Sequence, residues 1–229
     1  MTHVRSNRPM SLGLTALIAL AAALAALAVT GSNAQAHGEH ASAENGTVTT
    51  SELELRQGMR SLWEDHVSWT RLAIISLTTD SPDTKATVGR LLRNQTDIGN
   101  AIKPYYGAKA GNALTQLLRQ HILIAADLIA AAKAGDKAKL ATEQKAWQRN
   151  ADAMATFLSK ANPDSWKLGE MKTMLQTHLA LTTQEVVSRL QGKWNADVRA
   201  YDAIVKQALG MADMLSEGIL HQFPARFAA

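Results

Sequence analysis

The chain has 229 residues, 24 of them basic and 20 acidic, and contains no cysteine. Without thiols it has no disulfide, lipid-bearing N-terminal cysteine, thiol nucleophile or thiolate metal site. Its lysines and arginines form no run and alternate with acids along helix faces, which argues against nucleic acid as a partner.

His3, Arg5 and Arg8 precede an apolar run from Leu12 to Val29. A Gly31-Ser32 break then leads to the small-residue site Ala34-Gln35-Ala36. This is the layout of a secretory signal peptide over residues 1–36, and it predicts a periplasmic or secreted protein beginning at His37. The competing reading is an uncleaved membrane anchor, since the run approaches the length of a span. Cleavage would remove two arginines and no acids, leaving 22 basic and 20 acidic residues in a nearly neutral chain. His37 would then be a free N-terminus able to chelate one copper ion, with His40 nearby. Residues 37–49 are small and polar without periodicity and read as a flexible lead.

The helical domain is expected over 50–224, with 225–229 as a tail. Ser51 and Glu54 have capping-box spacing, and Leu55, Met59, Leu62, His66, Trp69, Ala73 and Leu77 recur at steps of four and three. Ser81-Pro82-Asp83 starts a return arm, expected to break near Asn94 to Asp97 and to end at Pro104 to Gly107. Leu114, Leu118, His121, Ala125, Leu128 and Ala132 form the second outward stripe, closed by Gly135. Its return arm buries Trp147, Ala151, Met154 and Leu158 and stops at Asn162-Pro163. The third pair opens at that proline, aligns Leu168, Met171, Leu175, His178 and Thr182, and turns at Gly192. It returns through Val198, Val205, Leu209, Ala212 and Ile219. No strand-period segment of any length occurs. The fold class is therefore all-α, a bundle of about six helices built from three repeated antiparallel hairpins.

The repeat is carried by three phrases, LWEDHVSWTRLAI, LLRQHILIAADLI and MLQTHLALTTQEV, centred on His66, His121 and His178. Asp97, Asp152 and Asp213 follow in related second phrases, 31, 31 and 35 residues after their histidines. Residues equidistant from a hairpin turn share a height, so the pattern predicts a polar belt at mid-bundle. Each histidine replaces a hydrophobe on its stripe. Converging neutral imidazoles are nitrogen ligands for zinc or copper, with carboxylate or water completing the shell. The candidate metal ligands are His66, His121, His178, Glu185 and Asp213, with Glu217 spaced to join the last. The competing reading is structural: a seam histidine more often satisfies itself with a carbonyl or an amide. Asn94 and Asn150 are rival partners for the histidines, and the aspartates flank their stripes and could simply face water.

Glu-x-x-His and His-Glu-x-x-His are both missing, which argues against a ferritin-like di-iron site. The chain also has no glycine-rich phosphate loop and no serine elbow, and hydroxyls near the histidines usually bond back to their own helix. Catalysis is the weakest class. The phrases LWEDHVSWTR, LLRNQTD, AAKAGD and MADMLSEGI with HQFP resemble a group of exported bacterial all-helical proteins with no established activity. The likeness spans nearly all of residues 55–224 and implies export and a helical fold, with no functional residue to carry over. The sequence thus points to an exported, non-catalytic binding protein for a metal ion, a small ligand or a protein partner. A purely structural belt and an enzyme of unknown chemistry are the alternatives. A membrane association is expected only if the leader is kept.

Overall fold

In the computed structural model, which describes residues 48–228, Thr49 rather than Ser51 opens the first helix. Its hydroxyl accepts from the Glu52 N–H, and the Glu52 carboxylate accepts from the Thr49 N–H. Helix α1 then runs Thr50–Thr79 and ends on Asp80, which adopts a left-handed φ of 55°. Five further helices follow: α2 Thr84–Ala101, α3 Lys103–Ala134, α4 Lys137–Ala161, α5 Leu168–Leu190 and α6 Trp194–Gln222. The described chain is all-α, as its periodicity requires. None of its helices is long and apolar enough to cross a membrane. The signal segment, its cleavage site, His37 and His40 lie outside the described residues.

Each helix packs on its neighbours in sequence, and α6 returns against α1 to close a ring. Cross-helix bonds fix the directions. Along the α1–α2 seam, Asn94 reaches the Leu62 carbonyl and Ser76 reaches Asp83, so one helix number falls as the other rises. The same antiparallel relation joins α3 to α4 through Asn150–Leu117 and Lys139–Asp127. It joins α5 to α6 through Gln207–Met174 and Arg189–Asp197. Arg60–Asp213 and Arg71–Asp197 repeat it between α1 and α6. Alternation around the ring makes α1, α3 and α5 parallel, and α1 also touches α3 and α5 across the middle.

The second arm departs from expectation. Helix α2 is continuous through Asn94 to Asp97 and breaks only at Ile102, with the irregular stretch closed by Gly107 at φ 80°. Asn94 and Gln95 do not disturb it because both amides point inward to partners. On either side of the break, α2 and α3 approach backbone to backbone at Gly99 and Gly111. A side-chain carbon on Gly99 would lie 2.6 Å from the Gly111 carbonyl oxygen, and one on Gly111 would lie 2.5 Å from that of Gly99.

Two further readings are corrected. Helix α5 begins at Leu168, not at Pro163, because Asn162 turns its side chain onto the Gly218 carbonyl and Trp166 is buried in the intervening loop. On α6 the inward line is Ile204, Ala208, Met211, Ala212, Leu215 and Ile219, whereas Val198 is exposed. Past Pro224 the chain makes a short 3-10 turn and buries Phe227, stacked 5.8 Å from Tyr105. Residues expected as a tail thus pack on the core.

Candidate functional site

At the middle of the ring the three inner helices bring His66, His121 and His178 together. Each is buried, at 3%, 5% and 5% exposure. The His178 ring lies between the other two, 6.0 Å from His66 and 6.1 Å from His121. Trp63 meets His66 edge-on at 5.4 Å, and Trp147 lies 5.1 Å from His121.

Each histidine is held through Nδ1 by a carboxamide 29 residues later on the next helix. Gln95 is 3.2 Å from His66, Asn150 is 3.0 Å from His121, and Gln207 is 3.0 Å from His178. A second bond from the same belt of amides reaches the carbonyl four residues before each histidine: Asn94 to Leu62, Asn150 to Leu117 and Gln207 to Met174. In hairpins two and three one amide makes both bonds. In hairpin one the two tasks are divided between the neighbours Asn94 and Gln95.

That division changes the proton placement. A backbone carbonyl only accepts, so the Asn150 and Gln207 NH2 groups face Leu117 and Met174 and their oxygens face the rings. His121 and His178 therefore donate from Nδ1 and keep a bare Nε2. Gln95 instead turns its NH2 toward His66, donating to the Leu91 carbonyl at 2.9 Å and the Asn94 oxygen at 3.0 Å. The Gln95 NH2 only donates, and with two hydrogens among three acceptors it shares one between the ring and a neighbouring oxygen, an arrangement that suits a bare Nδ1 and an Nε2–H on His66. Gln95 Oε1 is left without a partner. The layer thus presents one N–H donor and two lone pairs.

Burial pushes all three imidazoles toward the neutral form, because a charged ring loses its hydration there. His66 and His121 are lowered to about 3, first by burial and then by their histidine neighbours, with the amides opposing. His178 is lowered as well, by burial against the opposing Gln207 bond.

The carboxylates expected beside them are elsewhere. Glu185 sits two turns beyond His178 on α5, where the Arg71 guanidinium donates to it at 2.7 Å. Arg71 also grips Asp197, which takes a further bond from Arg189 at 3.1 Å. Burial raises the Glu185 carboxyl above its ordinary range despite Arg71. Burial acts the same way on Asp197, but Arg71 and Arg189 outweigh it and hold that carboxyl low. Asp213 is half-exposed between α1 and α6, where Arg60 donates to it at 2.6 Å, and its neighbour Glu217 pairs with Arg56. Asp97 is exposed, and Asp152 faces Lys172 at 3.5 Å. The 31-residue separations therefore mark the outer faces of the return helices, not a belt. Among the described residues no three or more histidine, aspartate or glutamate side chains gather in the arrangement that encloses a metal ion.

Asn150 and Asn94 were legible as histidine partners, Asn94 acting on His66 while also holding the Leu62 carbonyl, whereas Gln95 and Gln207 were missed. The signal was available in a constant His-to-carboxamide separation of 29, where the reading followed charge instead. Comparison with protein-family models, curated proteins and solved structures returns no match to this chain.

Proposed function

We propose that this chain is an exported, non-catalytic binding protein, that its three hairpins are copies of one unit, and that the His121–His178 pair takes a zinc or copper ion. The observation that carries this reading is the double tether on each of those rings. A carboxamide that is itself pinned by a backbone carbonyl holds Nδ1–H, which fixes the ring and leaves the Nε2 lone pair free, as in the outer shell of protein metal sites. Two imidazoles on one ion with bonds of about 2.1 Å have ring centroids about 5 to 6.5 Å apart, and the observed 6.1 Å lies in that interval. His66, with its Nε2–H, then donates to a water or anion that completes the shell.

The test is metal content in protein isolated from the periplasm without a histidine tag, followed by calorimetric titration with zinc and with copper. The expected result is one ion per chain, lost in His121→Leu and in His178→Leu together with any metal-dependent rise in Tm. His221→Ala, at the exposed end of α6, should keep it. Intact mass of the same preparation should give a chain starting at His37, and a full-length species confined to membranes would replace export with anchoring. Protein that arrives metal-free and shows no thermal response to zinc, copper, nickel or manganese rejects the metal reading.

A second reading has its own support. Because the belt amides also bond the neighbouring helix backbone, they lock hairpin register with or without a ligand. On that reading the belt is structural and an outer surface does the binding.

A further inference from the structure

The histidine layer stands on a floor of methionines. Trp63, Leu118 and Leu175 come three residues before His66, His121 and His178, and all three line one cavity of about 40 Å3. Met59, Met154, Met174 and Met211 line it as well, one each from α1, α4, α5 and α6. Two of the four hold equivalent places. Met154 follows Asn150 by four residues and Met211 follows Gln207 by four, one helical turn from the amides that hold His121 and His178. Methionine commonly fills gaps in a core, but four thioethers from four helices also make soft, polarizable surroundings for the imidazoles beside them.

Charge and geometry favour the same kind of ion as this soft wall. Glu185 and Asp213 are taken by Arg71 and Arg60, and burial keeps His121 and His178 neutral, so an ion between the two rings brings a charge that neither ligand cancels. The cost of burying a charge rises with its square, so a single charge costs about a quarter of a double one. Ring spacing adds a second constraint. Tetrahedral zinc, with bonds of about 2.0 to 2.1 Å, draws two imidazole centroids to about 5 Å, whereas rings facing each other across a two-coordinate ion stand about 6 to 6.5 Å apart. The 6.1 Å between His121 and His178 falls with the second arrangement. Monovalent copper accepts two opposed nitrogen ligands in soft surroundings, while zinc fills a shell of four.

We infer, resting on the reading of the His121–His178 pair as a metal site, that this pair selects monovalent copper over divalent zinc, with the ion between opposed Nε2 atoms and the methionine floor beside it. The third ring, His66, is then needed for a zinc shell but not for copper.

The probes are Cu(I), kept reduced without oxygen, Ag(I) as its air-stable counterpart, and Zn(II), each titrated into metal-free protein against a chelator of known affinity. Cu(I) and Ag(I) should each bind once per chain, at least about a thousandfold more tightly than zinc, and one equivalent of either should displace zinc from the pair. X-ray absorption of the copper form should show two nitrogen neighbours. His66→Leu, which removes the N–H that completes the zinc shell, should weaken zinc by about tenfold and leave Cu(I) unchanged. Met154→Leu combined with Met211→Leu keeps core volume and should narrow the preference for Cu(I) by about tenfold, with zinc affinity as the control for folding. Zinc binding as tightly as Cu(I), four-coordinate copper, equal losses in His66→Leu, or an unchanged preference in the methionine variant overturns the selectivity while leaving the pair a metal site. Protein that binds none of the three ions overturns both.

Discussion

At the scale of single residues, what the histidine layer can bind depends on which ring nitrogen holds a proton and on how far burial suppresses a second one. His66 and His121 titrate near 6.5 in an unfolded chain and at about 3 when folded. The unfolded state therefore binds more protons between those values, and stability from these rings is complete above about pH 6.5 and is lost as pH falls toward 3. At pH 5 each should cost about 2 kcal/mol relative to neutral pH. Urea denaturation at pH 7 and pH 5 measures this, and His121→Leu should flatten the slope. Glu185 works in the opposite sense, since a raised carboxyl gains protons on folding, while the lowered Asp197 adds to acid lability at more acidic pH. The belt amides make a second case. Asn150→Ala strands both His121 Nδ1–H and the Leu117 carbonyl and should cost about 2 to 3 kcal/mol. His121→Leu, which restores burial and loses one bond, should cost only about 1 to 2 kcal/mol, with the double mutant less than additive. The burial of the histidines was legible, because each stands where its stripe demands a hydrophobe. Their proton arrangement was not, because it depends on which way three amides face.

At the scale of elements, spacing and turn chemistry located the helices well wherever a terminator had a single job. Gly135 and Gly192 take left-handed φ values of 68°, and Asp136 caps α4 through the Lys139 N–H. Reading failed at Asn94, which looked like a breaker but is an inward partner within a continuous helix, whereas Asn162 does end α4 and only the start of α5, expected at Pro163, moves to Leu168. It also failed on α6, where Val198, Val205 and Leu209 advertised a stripe that small residues override. Ala208 and Ala212 let that helix approach closely, and burial follows backbone proximity there more than hydrophobicity. The Gly99–Gly111 crossing applies the same principle more severely. Gly99→Ala forces its new carbon onto the Gly111 carbonyl and should cost about 2 to 3 kcal/mol in urea denaturation. Gly89→Ala on the same helix, where a side-chain carbon would meet nothing within 4 Å, should be neutral or stabilising.

At the scale of the whole molecule, the ring is closed by charge as well as by packing. Arg71 joins α1 to both α5 and α6 through Glu185 and Asp197, with Arg189 as a second cation on Asp197. Arg71→Met leaves two buried carboxylates short of positive charge and should cost about 3 kcal/mol. Arg60→Met, whose Asp213 partner is half-exposed, should leave the urea midpoint near that of wild type. Glu185 was noticed in the sequence for its place on the His178 face, which is where it lies. Its partner was not, because Arg71 stands 114 residues away and only ring closure brings the two together.

A long-range 1H–15N spectrum of the imidazole rings at pH 7, recorded before and after one equivalent of zinc, tests the histidine pair as a metal site. Without metal all three buried rings should be neutral, with His121 and His178 protonated at Nδ1 and His66 at Nε2. Zinc should move the Nε2 signals of His121 and His178 while their Nδ1 protons stay in place. A charged ring, an Nε2 proton on either His121 or His178, or Nε2 signals indifferent to zinc would rule out the His121–His178 metal site.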